Sequence, residues 1–196
     1  MSIFKKLTTI KTERLVIRPY KLSDLLDLHR VCCNERIGLT GGWKPHESLE
    51  ESEWILRNYF MAEENRWAIV LRKTDEFVGS IGFSEDEKRR NPNVRSLGYW
   101  MAEEHWGMGY MSEAVAAVVD YAFRKLGFEI ITADCYSHNP ASRRVLEKSG
   151  FIYEGTLHEA VQIFNGEIYD LECFYMLHPL LIGVKKGLKT KKSQIF

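Results

Sequence analysis

Apolar and polar residues first alternate along the chain. Leu15, Ile17 and Tyr20 are interleaved with Val16, Arg18 and Lys21 behind a Thr-Glu-Arg lead-in, which predicts a strand closing at Pro19. The spacing then lengthens. Leu22, Leu25, Leu26, His29 and Val31 keep a helical period that Ser23 can cap, with Gly38 as the expected interruption. After the loop Gly41-Gly42-Trp43-Lys44-Pro45, a second helix is predicted over 48–61, with Leu49, Trp54, Ile55 and Tyr59 on its face.

The period changes again in the middle of the chain. Trp67 to Leu71 and Phe77 to Phe83 are short β-type runs on either side of Lys73-Thr74-Asp75-Glu76, so they predict a hairpin. A charged loop and an Asn91-Pro92-Asn93 turn lead into a fourth strand, Arg95 to Ala102. Met111, Ala114, Val115, Val118, Val119, Ala122, Phe123 and Leu126 then form the stripe of a helix over 110–126, ended by Gly127. A buried-type strand, Ile130 to Tyr136, precedes Asn139-Pro140, where Asn can cap a helix and Pro can fill its first turn; that helix ends at Gly150. Two last strands, 151–164 and 167–177, turn at Asn165-Gly166. This order predicts one α/β sandwich around a mixed sheet.

Composition narrows the class without naming a function. With 196 residues, 45% hydrophobic and 28% charged, the chain has the balance of one globular domain with a real core. No apolar run is long enough to cross a bilayer and the first residues lack a cleavable-leader pattern, so no membrane association and a cytoplasmic location are expected. Cys32, Cys33, Cys135 and Cys173 have neither metal nor disulfide-framework spacing and read as reduced thiols. The six histidines are scattered, and no metal is expected. Zero formal charge argues against a dedicated nucleic-acid binder. Five lysines (Lys185, Lys186, Lys189, Lys191, Lys192) and no acid fall in 183–196, a basic tail expected to be flexible. The rest of the chain is acidic by the same amount, which suits a cationic substrate.

The segment richest in chemistry is Glu104-His105-Trp106-Gly107-Met108-Gly109-Tyr110, between a strand and the amphipathic helix. Glycines two apart let a ligand approach the main chain, and a helix start offers free N–H groups and a favourable dipole to a diphosphate. Taken alone, the pair is more often a plain tight turn.

In context, the chain resembles the GNAT acetyltransferases, whose signature is Gln or Arg, two residues, Gly, one residue, then Gly or Ala; Gly107 and Gly109 match it. Gly98-Tyr99-Trp100, Gly107 to Ala114 and Asn139 to Phe151, in that order, are similar to the branch that acetylates ribosomal-protein N-termini (Rim-type). The resemblance runs from about Thr12 to Pro179. It implies a GNAT-like α/β (α+β) fold, a mixed, mostly antiparallel central sheet flanked by helices, as a single domain over 12–179. It also implies acetyl-CoA as cosubstrate, its acetyl and pantetheine part alongside Met101 and Ala102, and its diphosphate over Trp106, Gly107, Met108, Gly109, Tyr110 and Met111. A backbone N–H near Met101 would polarise the thioester carbonyl. By the same resemblance Asn139 reaches the pantetheine arm, and Ser142 lies near the thiol and helps protonate the leaving thiolate.

The chain departs from the family's pattern in three places. Glu104 stands where Gln or Arg is usual, and is tolerable beside a diphosphate if it points outward. Leu146 occupies the position of the tyrosine that many members use. Val161 and Gln162 occupy the local positions of the ribosomal branch's glutamate; Glu159, Glu103 and Glu85 are alternatives, and no base is assigned. The expected activity is acetyl transfer to a primary amine, foremost a protein N-terminus such as that of a ribosomal protein. A small-molecule amine acetyltransferase and a catalytically weak acetyl-CoA-binding module are the alternatives. A homodimer remains open.

Overall fold

The structure, a computed structural model, describes residues 8–181. The 183–196 tail lies outside them. Eight strands form one sheet in the order β1-β2-β3-β4-β5-β6-β8-β7: β1 Ile10–Lys11, β2 Leu15–Arg18, β3 Arg66–Leu71, β4 Phe77–Glu85, β5 Val94–Met101, β6 Ile130–Tyr136, β7 Ile152–Gln162 and β8 Ile168–Leu177. Every neighbouring pair is antiparallel except β5 and β6. The predicted mixed, mostly antiparallel sheet is therefore present.

Helices cover both faces. On one, α4 (Tyr110–Tyr121, continued by a wider turn Ala122–Leu126) and α5 (Pro140–Lys148) pack on Leu15, Ile17, Trp67, Ile69, Leu97, Ile131, Ala133 and Phe174. The other carries α1 (Leu25–Cys32), α2 (Glu35–Gly41) and α3 (Leu49–Ile55, continued through Phe60), which enclose Tyr20, Leu28, Ile37, Ala68, Val70 and Phe77. Two cores on opposite faces follow from strand alternation, because successive side chains of β3 must go to different sides. Among the described residues no helix is long and apolar enough to cross a membrane.

The region 19–48 differs from its sequence reading. Ser23 does not cap a helix: it lies inside a short 3₁₀ turn, Leu22–Asp24, where Asp24 accepts from the Lys21 N–H (2.8 Å) and pairs with Arg18 (2.7 Å). Gly38 does not interrupt the helix. The break comes at Cys33–Asn34, where Asn34 caps α2 by accepting from the N–H groups of Arg36 and Ile37, and Gly38 sits within α2, where a Cβ would lie 2.7 Å from the Trp43 carbonyl oxygen. Three helical pieces thus replace the two predicted. The first strand also ends earlier, at Arg18, and gains β1 as an edge partner.

Candidate active site

The sheet opens at its one parallel junction. β5 and β6 pair only from Val94↔Ile130 to Leu97↔Ala133. Beyond that, Gly98 to Met101 stay with β4 while Asp134 to Tyr136 stay with β8, leaving a wedge between the two strands. The Ala102 N–H donates to Val78 O (2.8 Å), which makes Met101 and Gly79 a non-hydrogen-bonded register pair. The N–H and C=O of Met101 consequently point into the wedge. Its carbonyl accepts from Trp106 Nε1 at 2.7 Å. Met101 and Ala102 are buried, and of the two it is the Met101 backbone that faces the opening, since the Ala102 N–H is bonded to Val78 and its carbonyl accepts from the His105 N–H.

From the wedge the chain passes through Glu103–His105 to Gly107 and Gly109, at φ +76° and +78°, a left-handed conformation that glycine adopts without a Cβ penalty. Gly109 is the N-cap of α4 and supplies no side-chain acceptor, so the first-turn N–H groups are left to an external one. Nothing lies within 4 Å of where a Cβ on Gly107 would be. Met108 is exposed, Tyr110 half-buried, and the Met111 side chain packs in the core. The turn is braced by Arg14, which the sequence reading missed: it donates to Met108 O (3.0 Å), stacks on Tyr110 (4.5 Å) and pairs with Glu113 (2.6 Å). Thr12 also donates to Glu113, at 2.6 Å. Glu104 points away, to Arg30 on α1; against the cost of its partial burial, its backbone hydrogen bond and Arg30 hold its carboxyl below the usual range.

On the α5 side of the wedge, Asn139 caps α5 by accepting from the Ser142 N–H (3.0 Å), and its Nδ2 donates to Thr40 O on α2 (3.4 Å). The Ser142 hydroxyl lies 2.9 Å from that of Tyr99 on β5. Burial pushes the Tyr99 phenol well up, although the Ser142 bond pulls the other way, so the phenol keeps its proton at neutral pH. A tyrosine therefore reaches this place from β5, not from the α5 position that holds Leu146. Cys135 adjoins Glu172 at 3.7 Å, and burial pushes its thiol up to about 12. Glu172 is itself paired with Arg143 at 2.6 Å.

The acids weighed as bases are not brought to the Tyr99–Ser142 pair. Glu103 is held by Asn34 (3.0 Å) and Arg36. Glu85 is exposed at the far end of β4. Glu159 sits exposed at φ +48° in an irregular stretch of β7, its N–H bonded to Asp170 (2.9 Å). All four cysteines are free thiols. Among the described residues no three His, Cys, Asp or Glu side chains are grouped to hold a metal.

Residues 14–152 match the family described as Acetyltransferase (GNAT) domain. The chain is 31% identical over 175 residues to the uncharacterized N-acetyltransferase YoaA of Bacillus subtilis (strain 168), covering 87% of this chain and 97% of the relative. It is 27% identical over 168 residues to the ribosomal-protein-serine acetyltransferase of Escherichia coli (strain K12), covering 83% and 92%. The spermidine N-acetyltransferase from Vibrio cholerae, solved in complex with CoA and spermine, shares the fold with a TM-score of 0.72 at 24% identity, covering 85% of this chain and 97% of that one.

Proposed function

This chain belongs to the GNAT acetyltransferase family and is an acetyl-CoA-dependent N-acetyltransferase similar to the Rim-type branch; from that premise we propose that its acceptor is a protein N-terminal α-amine, such as that of a ribosomal protein, acetylated by direct transfer in a ternary complex. In this reading the uncapped α4 start and the Trp106–Met111 turn take the diphosphate, and Met101 with Ala102 and Asn139 flank the pantetheine arm. The Met101 N–H meets the oxygen on which charge develops. Ser142, backed by the Tyr99 phenol, returns a proton to the departing thiolate. We further propose that residues 12–179 make up the whole catalytic domain and that it works in the cytoplasm.

The observation that carries the acceptor assignment is the state of the carboxylates around the wedge. Glu103 and Glu172 are each already paired with an arginine and Asp134 with Lys88, so none of the three is an unencumbered base. An α-amine, with a pKa of about 8, supplies far more free amine at neutral pH than a lysine at about 10.4. Similarity to the ribosomal-protein-serine acetyltransferase supports the same choice. The test compares catalytic efficiencies for one peptide with only a free N-terminus, the same peptide blocked there but carrying lysine, and spermidine. The free N-terminus should win by tenfold or more. A clear preference for spermidine, in line with the fold shared with a spermidine enzyme, would move the assignment to small-molecule amines.

A further inference from the structure

In the reading proposed above, acetyl-CoA lies along α4 and α5, which leaves the other face of the sheet to the acceptor. That face is chemically distinct. Ile131, Ala133 and Cys135 of β6 pack toward α4 and α5, so alternation turns Thr132, Asp134 and Tyr136 to the opposite side. Asp134 is the first β6 residue beyond the last β5–β6 pair, and Gly98 is its counterpart on β5. Gly98 is exposed, with nothing within 4 Å of where a Cβ would be, so open space lies over the wedge there. Trp100 and Trp43, 5.9 Å apart, stand beside it, and the Tyr136 hydroxyl closes on Gly42.

The acids on this face differ in how firmly they are held. Asp86 accepts from Thr132 Oγ1, the Lys88 N–H and Arg89, each at 2.8 Å, and Glu154 is taken by Arg89 as well. Asp134 instead faces a primary ammonium, Lys88 Nζ, at 2.6 Å, on a loop and partly exposed, with the Cys173 thiol as a further, neutral neighbour. Lys88 comes from a loop with its side chain 34% exposed, and an incoming ammonium that took its place would leave the Asp134 charge still paired. We propose that Asp134 is the recognition site for the cationic acceptor, that the acceptor's ammonium replaces the Lys88 ammonium there, and that Lys88 holds the site until the acceptor arrives. This rests on the acetyltransferase reading of the wedge but not on which amine is acetylated.

The test uses the full chain saturated with CoA, its lysine side chains labelled with ¹⁵N, and the Lys88 ammonium resonance identified by its loss in Lys88→Met. Spermidine, and separately a lysine-free peptide with a free N-terminus, are titrated in. The Lys88 resonance should move with acceptor concentration, and Asp134→Asn should remove the response. In steady state Asp134→Asn should raise KM for whichever amine is turned over by tenfold or more, with acetyl-CoA affinity within twofold and partial rescue by Asp134→Glu. Lys88→Met should lower that KM several-fold. A Lys88 resonance unmoved by both amines, or an Asp134→Asn enzyme with the wild-type KM, overturns the assignment. If Lys88 moves but the peptide is not acetylated, the α-amine reading fails while the Asp134 site stands.

Discussion

Two hydroxyls 2.9 Å apart, one on a phenol whose burial keeps it protonated, are hydrogen-bonded at Ser142, whose carbonyl also accepts from the phenol at 3.2 Å. If the pair delivers a proton to the thiolate, each member matters to turnover and neither to cofactor binding. Ser142→Ala should lower kcat by about 10²-fold under chemistry-limited conditions, leaving the calorimetric acetyl-CoA affinity nearly unchanged. Tyr99→Phe should do much the same, and the double variant little more, since groups acting as a unit are not additive. Equal turnover by wild type and Ser142→Ala would return the serine to a structural role. The glycine turn fails differently. A Cβ at Gly109 would meet only Arg14, at 3.6 Å, but φ +78° makes any side chain there cost about 1–2 kcal/mol of backbone strain. Gly109→Val should therefore weaken acetyl-CoA binding at least tenfold while the protein still folds, as calorimetry and a melting curve would show; an unchanged affinity would remove the diphosphate from this turn.

At the scale of elements, the loop joining β4 to β5 is fastened across the sheet by Asp86, whose side chain is 1% exposed. Burial opposes its ionisation, yet the bonds from Thr132, the Lys88 N–H and Arg89 outweigh it and hold the carboxyl below its usual range. A lowered folded-state pKa adds stability above the unfolded value, about 3.9, and that stability is lost as pH falls through the lower folded value. Asp86→Asn should thus cost about 2 kcal/mol in urea unfolding at pH 7 and nearly nothing once the pH lies well below the lowered folded-state value. A cost independent of pH would mean that the charge is not what fastens the loop.

Elements also show what the sequence made legible. The long periodic runs, 110–126 and 130–136, appear where the pattern put them, because one stripe or one buried strand decides each. The 19–48 region was misread because its breaks depend on single polar side chains, Asp24 and Asn34, and on how closely Gly38 meets Trp43, none of which has a period. Asn139 was readable as a cap because its acceptor and donor lie three residues apart. Tyr99, Arg14 and Glu172 were not, since their contacts join residues 43, 94 and 29 positions apart. Hairpins and caps are local chemistry, whereas a site assembled where two strands part is visible only after the sheet has formed.

Over the whole molecule, the sheet separates two tasks. In the proposed reading the face under α4 and α5 offers backbone N–H groups to an anionic cosubstrate, and the other face offers Asp134 to a cation. With the lysine tail set aside, the remaining chain carries five net negative charges, a field that draws cationic acceptors whatever their class. Attraction alone therefore cannot tell an N-terminus from a polyamine. The pH dependence of kcat/KM can, because it follows the ionisations of free enzyme and free acceptor. Below the acceptor's pKa, the free-amine fraction falls tenfold per pH unit. For a peptide with only a free N-terminus, kcat/KM should rise with unit slope and level off at about pH 8, where the α-amine titrates. For the lysine-bearing peptide it should still be rising beyond pH 9. Stopped-time assays of thiol release at constant ionic strength over this range measure both. A profile for the N-terminal peptide that climbs on to pH 10 without a break would show that deprotonation of the α-amine does not control transfer, and would remove the physical reason for preferring it.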